Sequence, residues 1–375
     1  MPAALLITRN LPPVIGGMER LIAHVADALA SEYETVIVGP RGGQVLREPS
    51  AYYDCPLSPP ARFLAAAARK ARKAARLHRP RLVLAGSGLT APIARFAARK
   101  AHAHYAVYLH GLDIAVEHPL YRRFFLPAIR DADFVIANSH YTAGLADLAG
   151  VPPKSIRILN PGVELPVELP DSEKAREAFR KRYALPAGPI LLGAGRLTPR
   201  KGFSEFVAHS LPAILEALPD AQFVVAGEVP RHAAKRVGNE VDAIRKAAET
   251  THSGDHVHLI GPLDDAGLAQ AWPAADVHIF PVRDDPQDPE GFGMVALEAA
   301  AWGVPSVAFA AGGVGDAVAE GKSGYLVPPG DYAGLAGAVL KAAVQRAELE
   351  SGARAFAERH AWSRFNAELL QLLKR

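Results

Sequence analysis

The sequence predicts an α/β protein made of two doubly wound, Rossmann-like domains. The chain has 375 residues, of which 49% are hydrophobic, so it is too long for one hydrophobic core and apolar enough for two. Short runs rich in Val, Ile and Leu alternate with longer Ala-rich stretches, a pattern typical of parallel strands covered on both faces by crossover helices. The strand candidates also fall into two sets of six.

A stretch without periodicity separates the two sets of strands. The first set is ALLIT, TVIVG, RLVLAG, HYAVYLH, DFVIANS and IRILNPG, and the second is ILLGAGR, QFVVAGE, HVHLIG, VHIFPV, SVAFAAG and GYLVPP. The three prolines of Pro161–Ser172 indicate a hinge linker between them. We predict an N-terminal domain at residues 1–165, a C-terminal domain at 166–352, and a final helix at 353–375 that crosses back to the first domain.

Composition excludes several classes of protein. Cys55 is the only cysteine, which excludes an intramolecular disulfide framework and fits a reducing compartment. No basic region precedes the apolar run Ala3–Thr8 and no cleavage site follows it, so we predict no signal peptide. No apolar run reaches the roughly 18 residues of a membrane-spanning helix. The net charge of +3 does not indicate bulk nucleic-acid binding. We predict a cytoplasmic protein.

The loops that follow the strands are where a ligand is expected, because ligands of open parallel sheets bind beyond the carboxyl ends of the strands. In NLPPVIGGMER, Gly16 and Gly17 open a helix after the first strand. Glycine lets a ligand approach the backbone closely, and a helix N-terminus offers free N–H groups to an anion. His110 ends the strand YLH. A plain turn at the glycines and a packing role for His110 are the alternatives.

Two cations follow the first strand of the second domain. In GAGRLTPRKGF, Arg196 and Lys201 lie in a loop that Pro199 and Gly202 keep out of regular helix. Such a pair suits a diphosphate, since arginine makes bidentate contacts and lysine supplies a point charge. An ordinary surface pair is the alternative. The segment is not a dinucleotide fingerprint, because Thr198 occupies the third glycine position.

Two carboxylates flank a Gly-Phe-Gly turn in DPEGFGMVALEAAAWGVP. If Gly291–Gly293 lead into a helix, their N–H groups and the positive end of the helix dipole favour phosphate binding there. Glu298 would then accept hydrogen bonds from ribose hydroxyls, and Glu290 from sugar hydroxyls. The alternative is an amphipathic helix with an acidic first turn, which leaves the turn and the cationic loop unexplained.

Taken together, these residues resemble the retaining glycosyltransferases of glycosyltransferase family 4, whose GT-B fold consists of two facing Rossmann-like domains with a cleft between them. The resemblance covers essentially the whole chain. It implies a contact between the nucleotide base and the backbone near Leu263, and it places Gly227 in the matching turn after a strand. It also implies a position for His110 close to the transferred sugar. The catalytic residues that it implies are His110, Arg196, Lys201 and Glu290. The donor-binding residues that it implies are Gly16, Gly17, Gly227, Leu263, Gly291, Phe292, Gly293, Met294 and Glu298. The loop PVRDDPQDP is longer and more acidic than is usual in the family.

The resemblance predicts a retaining hexosyltransferase that uses a nucleotide diphosphate sugar and no cofactor, with a UDP-sugar slightly favoured over GDP-mannose as the donor. Retention without an obvious nucleophile favours front-face displacement, in which cations stabilise the leaving diphosphate. We expect no metal, because Asp131-Ala-Asp133, which looks like a metal-binding DxD, precedes its strand and is far from the expected cleft. The alternatives are a nucleotide-sugar epimerase of the same fold or a non-catalytic nucleotide-sugar-binding module.

The segment PPARFLAAAARKARKAARLHRPRL predicts a helix with one basic face. Seven Lys and Arg residues between Arg62 and Arg79 meet no acidic residue, and alanines occupy the opposite face. A solvated face is the alternative interpretation. We predict that this face binds anionic lipid head groups, so that a peripheral enzyme at the inner membrane face glycosylates a lipid or lipid-linked glycan for the cell envelope.

Overall fold

The computed structural model describes residues 1–14, 16–229 and 240–374. The chain divides into two compact units. The first contains Met1–Gly162 and Trp362–Arg375, and the second contains Val163–Ala361. Each unit holds one parallel sheet with helices packed against it, which confirms the predicted α/β class with two doubly wound domains.

The sheet of the first unit has seven parallel strands in the order β3-β2-β1-β4-β5-β6-β7. They are β1 (Ala3–Ile7), β2 (Glu34–Pro40), β3 (Ala51–Cys55), β4 (Leu82–Ala85), β5 (His104–Leu109), β6 (Phe134–Ala137) and β7 (Ile156–Ile158). Leu109 pairs with Ala137 across β5 and β6. The residues that follow these strands, His110 and Asn138, therefore leave the sheet side by side.

The sheet of the second unit has six parallel strands in the order β10-β9-β8-β11-β12-β13. They are β8 (Ile190–Ala194), β9 (Gln222–Ala226), β10 (Val257–Gly261), β11 (Val277–Phe280), β12 (Ser306–Phe309) and β13 (Gly324–Val327). Every residue of β8 and β11 is buried, as central strands covered on both faces require.

Most of the helices lie between strands in the chain, as crossover connections in parallel sheets do, and the last three follow β13. In the first unit they are α1 (Gly17–Glu32), α2 (Pro60–His78), α3 (Ala91–Ala101), α4 (Leu112–Ala115), α5 (Pro119–Phe124), α6 (Leu126–Arg130) and α7 (His140–Leu148). In the second unit they are α8 (Ser172–Tyr183), α9 (Phe203–His209), α10 (Leu211–Ala217), α11 (Glu240–Thr250), α12 (Asp265–Ala274), α13 (Met294–Ala301), α14 (Val314–Ala317), α15 (Tyr332–Val344) and α16 (Arg346–Glu358). The last helix, α17 (Trp362–Leu373), belongs to the first unit.

All twelve expected strands are present, and one further strand was missed. The missed strand is β3, whose sequence AYYDC is only half buried at the edge of the sheet. An edge strand that carries Tyr and Asp lacks the apolar run by which the other strands were recognised.

The segment 353–375, which was expected to form one helix, is divided between two helices, and only the second of them belongs to the first unit. Ala353 lies inside α16, in the second unit, and α17 begins only at Trp362. The chain leaves the first unit after Gly162, where a Cβ atom would lie 2.3 Å from the Trp362 ring, so only glycine fits. Val163 N donates to His360 O at 2.8 Å, which ties the two connecting segments together within the second unit. Arg375 lies outside the described residues.

In these described ranges, no helix combines the length and the apolar character that crossing a bilayer requires.

Candidate functional site

The strand orders define a crevice in each sheet. In the second unit, β8 lies between β9 and β11, and in the first unit β1 lies between β2 and β4. At this point the chain connections that follow two neighbouring strands run in opposite directions across the sheet. The loops at the carboxyl ends of those two strands therefore diverge and leave room for a ligand. In the second unit these are the loops that follow β8 and β11, and they carry Arg196, Lys201 and Glu290.

Three charged side chains meet between these two loops, and we call them the cation–carboxylate cluster: Arg200, Lys201 and Glu290. Lys201 Nζ lies 2.7 Å and Arg200 Nη1 lies 2.6 Å from the same carboxylate oxygen, Glu290 Oε2. The three side chains are between 9% and 14% exposed. Arg200 was not among the predicted site residues, although it directly precedes Lys201 in the same loop.

Two cations share the Glu290 carboxylate, and Arg200 has a second acidic partner, since its Nε lies 3.5 Å from Oδ2 of the half-exposed Asp288. Burial favours the neutral form of Glu290, but the nearby charges of Lys201 and Arg200 and their hydrogen bonds outweigh it and lower the pKa of Glu290 to about 2. Burial, together with the like charges of Arg200 and Arg196, lowers the pKa of Lys201 against the opposing effect of Glu290. The hydrogen bond from Lys201 to the ionised Glu290 carboxylate opposes this effect of burial.

Backbone contacts hold the two loops together around the cluster. Gly202 has φ +70°, and a Cβ atom on it would lie 2.0 Å from Pro281 O. Glycine is therefore needed both for the left-handed conformation and for the close approach. Arg283 N donates to Arg200 O at 2.9 Å, and Gly313 N donates to Glu290 O at 2.7 Å. Hydrogen bonds between main-chain atoms therefore fix the backbone at Arg200 and at Glu290.

The Gly-Phe-Gly turn leads into α13, as the sequence predicted. Gly293 is the N-cap residue with φ +99°, and no side chain caps the helix. Phe292 is buried at 2% exposure, while Gly291 and Met294 are partly buried. The first backbone N–H groups of this eight-residue helix therefore lie next to the loop that carries Glu290, where the helix dipole favours an anion.

The other predicted residues of the second unit lie at the same edge of the sheet. Arg196 is exposed just after β8. A Cβ atom on Gly227 would lie 1.9 Å from Gly195 O, so the loops after β8 and β9 touch there. Leu263 is partly buried after β10, and Glu298 is partly buried in the second turn of α13.

His110 occupies a polar cluster at the carboxyl ends of β4, β5 and β6. Its Nε2 lies 2.8 Å from Gly86 O, and its ring stacks on Tyr108 with centroids 5.2 Å apart. A carbonyl oxygen only accepts, so Nε2 is the protonated nitrogen and Nδ1 of the neutral ring is an acceptor. Among the described residues, His110 Nδ1, Ser87 Oγ and Asn138 Oδ1 have no hydrogen-bond partner.

Asp113, which the sequence analysis missed, organises this polar cluster. Its Oδ1 accepts from His110 N and its Oδ2 accepts from Gly88 N, both at 2.8 Å. One carboxylate therefore ties the loop after β4 to the loop after β5. An Asp three residues after the histidine, at the start of a short helix, was the available sequence signal.

Gly16 and Gly17 lie at the start of α1, as expected, but a carboxylate of the chain lies beside them. Glu19 is buried at 7% exposure and accepts from Asn10 Nδ2 at 2.8 Å. A Cβ atom on Gly16 would lie 2.3 Å from Glu19 Oε2. The chain itself thus places negative charge at this helix N-terminus, where the sequence predicted a ligand anion.

Asp131 and Asp133 lie before β6, at the opposite end of the strand from Asn138. Asp131 forms ion pairs with Arg95 and Arg99, and Asp133 accepts from Tyr105 N at 2.8 Å. Both carboxylates therefore have structural partners. Within residues 1–14, 16–229 and 240–374, no three His, Cys, Asp or Glu side chains come together as a metal site.

The exposed basic face of α2 contains fewer residues than the sequence predicted. Ala67, Ala71, Ala74 and Ala75 are buried, as expected. Lys70, however, lies 3.2 Å from Asp54 of β3 and is partly neutralised there. The exposed basic residues Arg69, Arg72, Lys73 and Arg76 line a shallow surface groove together with Leu77.

Comparison with known proteins gives two family matches and several relatives. The model described as glycosyltransferase family 4 matches residues 15–166, and that described as glycosyl transferases group 1 matches residues 188–344. The GDP-mannose-dependent alpha-(1-6)-phosphatidylinositol monomannoside mannosyltransferase of Mycolicibacterium smegmatis is 28% identical over 345 residues, which cover 89% of this chain and 87% of that protein.

A second relative and a solved structure are also similar. The D-inositol 3-phosphate glycosyltransferase of Acidothermus cellulolyticus is 35% identical over 237 residues, which cover 62% of this chain and 50% of that protein. The chain thus spans only half the length of that relative. Anabaena HepE, in a crystal structure with UDP, has a TM-score of 0.79 at 19% identity, and the match covers 99% of each chain. At this identity the likeness shows the fold alone.

Proposed function

The chain belongs to glycosyltransferase family 4, and from that premise we propose that it transfers a hexose-type sugar from a nucleotide diphosphate sugar to an acceptor hydroxyl with retention of configuration. Its two parallel-sheet units are those of the GT-B fold. The proposed acceptor is a lipid or lipid-linked glycan of the cell envelope.

The observation that carries this proposal is the cation–carboxylate cluster beside α13. Two buried cations meet the buried Glu290 carboxylate, Arg200 also pairs with the half-exposed Asp288, and the exposed Arg196 adds a third positive charge nearby. Arginine and lysine side chains next to a helix N-terminus suit the oxygens of a diphosphate. We assign the donor diphosphate to Arg196, Arg200 and Lys201, together with the amides that begin α13.

The remaining parts of the donor are assigned to the loops around that position. The backbone at Leu263, after β10, would contact the base, and Gly227 lies in the turn after the neighbouring strand β9. Glu298 would accept from the ribose hydroxyls, and Glu290 from hydroxyls of the transferred sugar. Nδ1 of His110 is an acceptor without a partner among the described residues, which supports a contact between His110 and a sugar hydroxyl.

The proposed reaction is a front-face displacement. The bond between the sugar C1 and the diphosphate oxygen breaks while the acceptor oxygen bonds to C1 on the same face, and the acceptor proton passes to the departing diphosphate. Lys201 and Arg200 stabilise the negative charge that develops on that leaving group. Both hydrogen bonds of Glu290 Oε2 are made with these cations, which supports an electrostatic role for Glu290 over a nucleophilic one.

We propose that this reaction needs no metal. Asp131 and Asp133 have structural partners, and the cations of the cluster can neutralise the leaving group. Activity should therefore persist in EDTA. Loss of activity in EDTA and its recovery with manganese would contradict this proposal.

A UDP-sugar and GDP-mannose are the proposed donors, and the relatives support a lipid-type acceptor. One relative is named as GDP-mannose-dependent and acts on a phosphatidylinositol monomannoside. Another is named for inositol 3-phosphate, and the structurally similar Anabaena protein was crystallised with UDP. The exposed basic residues of α2 would bring the enzyme to an anionic membrane surface.

A panel of UDP, GDP, ADP and their sugars tests the proposal by thermal shift, since a ligand at 100 times its Kd adds about 2.7 kcal/mol to the unfolding free energy. No shift with any nucleotide would contradict it. Radiolabelled donors then separate the alternatives. A transferase moves label to an acceptor, an epimerase keeps it on the nucleotide with a changed sugar, and a binding module leaves the donor unchanged.

A further inference from the structure

The side chain of Phe280 lies between the catalytic lysine and the interior of the second unit. Phe280 is the last residue of β11 and is fully buried. Lys201 Nζ lies 4.7 Å from the centroid of its ring. The lysine therefore has an aromatic face on one side and the Glu290 carboxylate, at 2.7 Å, as its anionic partner.

Below Phe280, two more rings complete a column that we call the aromatic column: Phe280, His278 and Trp272. His278 stacks on Phe280 with centroids 5.5 Å apart and meets Trp272 edge-on at 5.2 Å. His278 Nδ1 lies 2.9 Å from Ser306 Oγ. Burial, helped by the charge of Lys201, lowers the pKa of His278 to about 3. The column beneath Lys201 is therefore uncharged at neutral pH.

The edge of the same Phe280 ring touches the turn that starts α13. A Cβ atom on Gly293 would lie 2.7 Å from Phe280 Cε1, so the ring packs directly against that glycine. The Phe280 ring thus contacts both features that we assign to the donor diphosphate, namely the Lys201 ammonium and the N-terminus of α13.

We propose that Phe280 is a positioning residue for donor binding, and that its ring face holds the Lys201 ammonium in its charged form beside α13. This inference depends on the proposed function. An aromatic face stabilises a cation through its quadrupole without occupying its N–H donors. The ammonium has three such donors, so Lys201 can remain over the ring while it exchanges Glu290 for phosphate oxygens.

The contact between Lys201 and the Phe280 ring should change the pKa of Lys201. Burial lowers the pKa of Lys201, Arg200 and Arg196 lower it further, and Glu290 raises it. Near it, His278 contributes no charge at neutral pH. Attraction by the ring face adds to the effect of Glu290, so weakening the ring quadrupole should lower the pKa of Lys201 while the shape of the site is kept.

The experiment replaces Phe280 with mono-, di- and trifluorophenylalanine by nonsense suppression. The titration of Lys201 is followed by NMR of 13C-labelled lysine and assigned with Lys201→Arg. We expect the pKa of Lys201 to fall stepwise, by about one unit across the series, and the basic limb of the kcat/KM profile to move by the same amount.

Phe309 is the matched control. It is the last residue of β12, is 1% exposed, and packs edge-on against Tyr332. The same fluorination at Phe309 should leave the Lys201 titration unchanged. An unchanged titration across the Phe280 series, or an equal shift in the Phe309 series, would overturn the inference. The NMR titration needs no turnover, so absence of nucleotide binding or transfer in the wild-type protein would instead refute the proposed function.

Discussion

Lys201 Nζ and Glu290 Oε2 lie 2.7 Å apart, and Arg200 Nη1 lies 2.6 Å from the same oxygen. Glu290 therefore holds both cations in place before any donor binds. Holding like charges together in advance is what electrostatic catalysis requires, because no reorganisation is then needed when charge develops on the leaving group. The contact also means that a diphosphate must compete with Glu290 for the two cations.

Removal of either buried cation should reduce turnover strongly. We expect Lys201→Ala and Arg200→Ala each to lower turnover by at least about a hundredfold, since the loss of one such contact to a developing anion typically costs about 3 to 4 kcal/mol. Arg196→Ala should do the same, because we assign Arg196 to the diphosphate as well. Lys181→Ala, at an exposed lysine of α8, is the control and should remain active. Near-normal activity with folded Lys201→Ala and Arg196→Ala variants would contradict the assignment of the diphosphate site.

Glu290→Gln should separate binding from turnover. Glutamine keeps the shape of the side chain but removes the charge that competes with a diphosphate for Lys201 and Arg200. We expect UDP or GDP, whichever the wild-type protein binds, to bind at least about tenfold more tightly. We also expect turnover to fall, because the cations are no longer held in place. Calorimetry and a transfer assay measure the two effects. Weaker nucleotide binding in this variant would show that Glu290 assists the diphosphate site instead of competing for it.

The fold could be predicted from the sequence because its central strands are continuous apolar runs, and each of these runs forms a strand. The edge strand β3 lacked that signal, since Tyr52, Tyr53 and Asp54 are half exposed. The candidate site was predicted in part. Loop position indicated Lys201 and Glu290, but their direct contact joins residues 89 positions apart, and pairing at such a separation cannot be read from local spacing.

Contacts between elements also explain what the sequence could not indicate at Gly16. The expected ligand anion was inferred from the glycines and the helix N-terminus alone. Glu19 lies three residues after Gly16 in the same motif, but its position beside Gly16 depends on a hydrogen bond from Asn10 in the preceding loop. In the same way, the need for glycine at Gly202 arises from Pro281 of another loop.

Stability should fall in mild acid because of His24. Its ring stacks on Trp362 of α17 at 3.7 Å. Burial lowers the pKa of His24 from 6.5 to about 4, although Asp27 opposes the shift. The unfolded chain therefore binds this proton first as the pH falls, and the free energy of unfolding should decrease between pH 6.5 and about 4.

His24→Phe keeps the stacked ring but removes the titration. The free energy of unfolding, measured with denaturant across this pH range, should therefore change less with pH in His24→Phe than in the wild type. The difference in slope should correspond to about one bound proton. His252→Asn, at an exposed histidine, is the control and should keep the full dependence. A pH dependence that is identical in His24→Phe and the wild type would exclude His24 as its source.

Binding to anionic membranes should depend on the exposed basic residues of α2. Arg72 and Arg76 line the surface groove, whereas Lys70 is engaged by Asp54. Each exposed basic residue near an anionic surface contributes about 1 kcal/mol, and salt screens the attraction. We expect the protein to float with vesicles that contain phosphatidylglycerol and not with pure phosphatidylcholine vesicles. Arg72→Glu combined with Arg76→Glu should weaken this binding at least about tenfold.

The control for the membrane prediction carries the same change in net charge on other helices. Lys181→Glu combined with Lys246→Glu reverses two exposed lysines of α8 and α11 and should bind anionic vesicles nearly as the wild type does. If both double variants lose binding equally, net charge alone accounts for the attraction. Equal flotation of the wild type with neutral and anionic vesicles, or none with either, would refute the membrane proposal and leave the transferase assignment unaffected, because the cation–carboxylate cluster lies in the other unit.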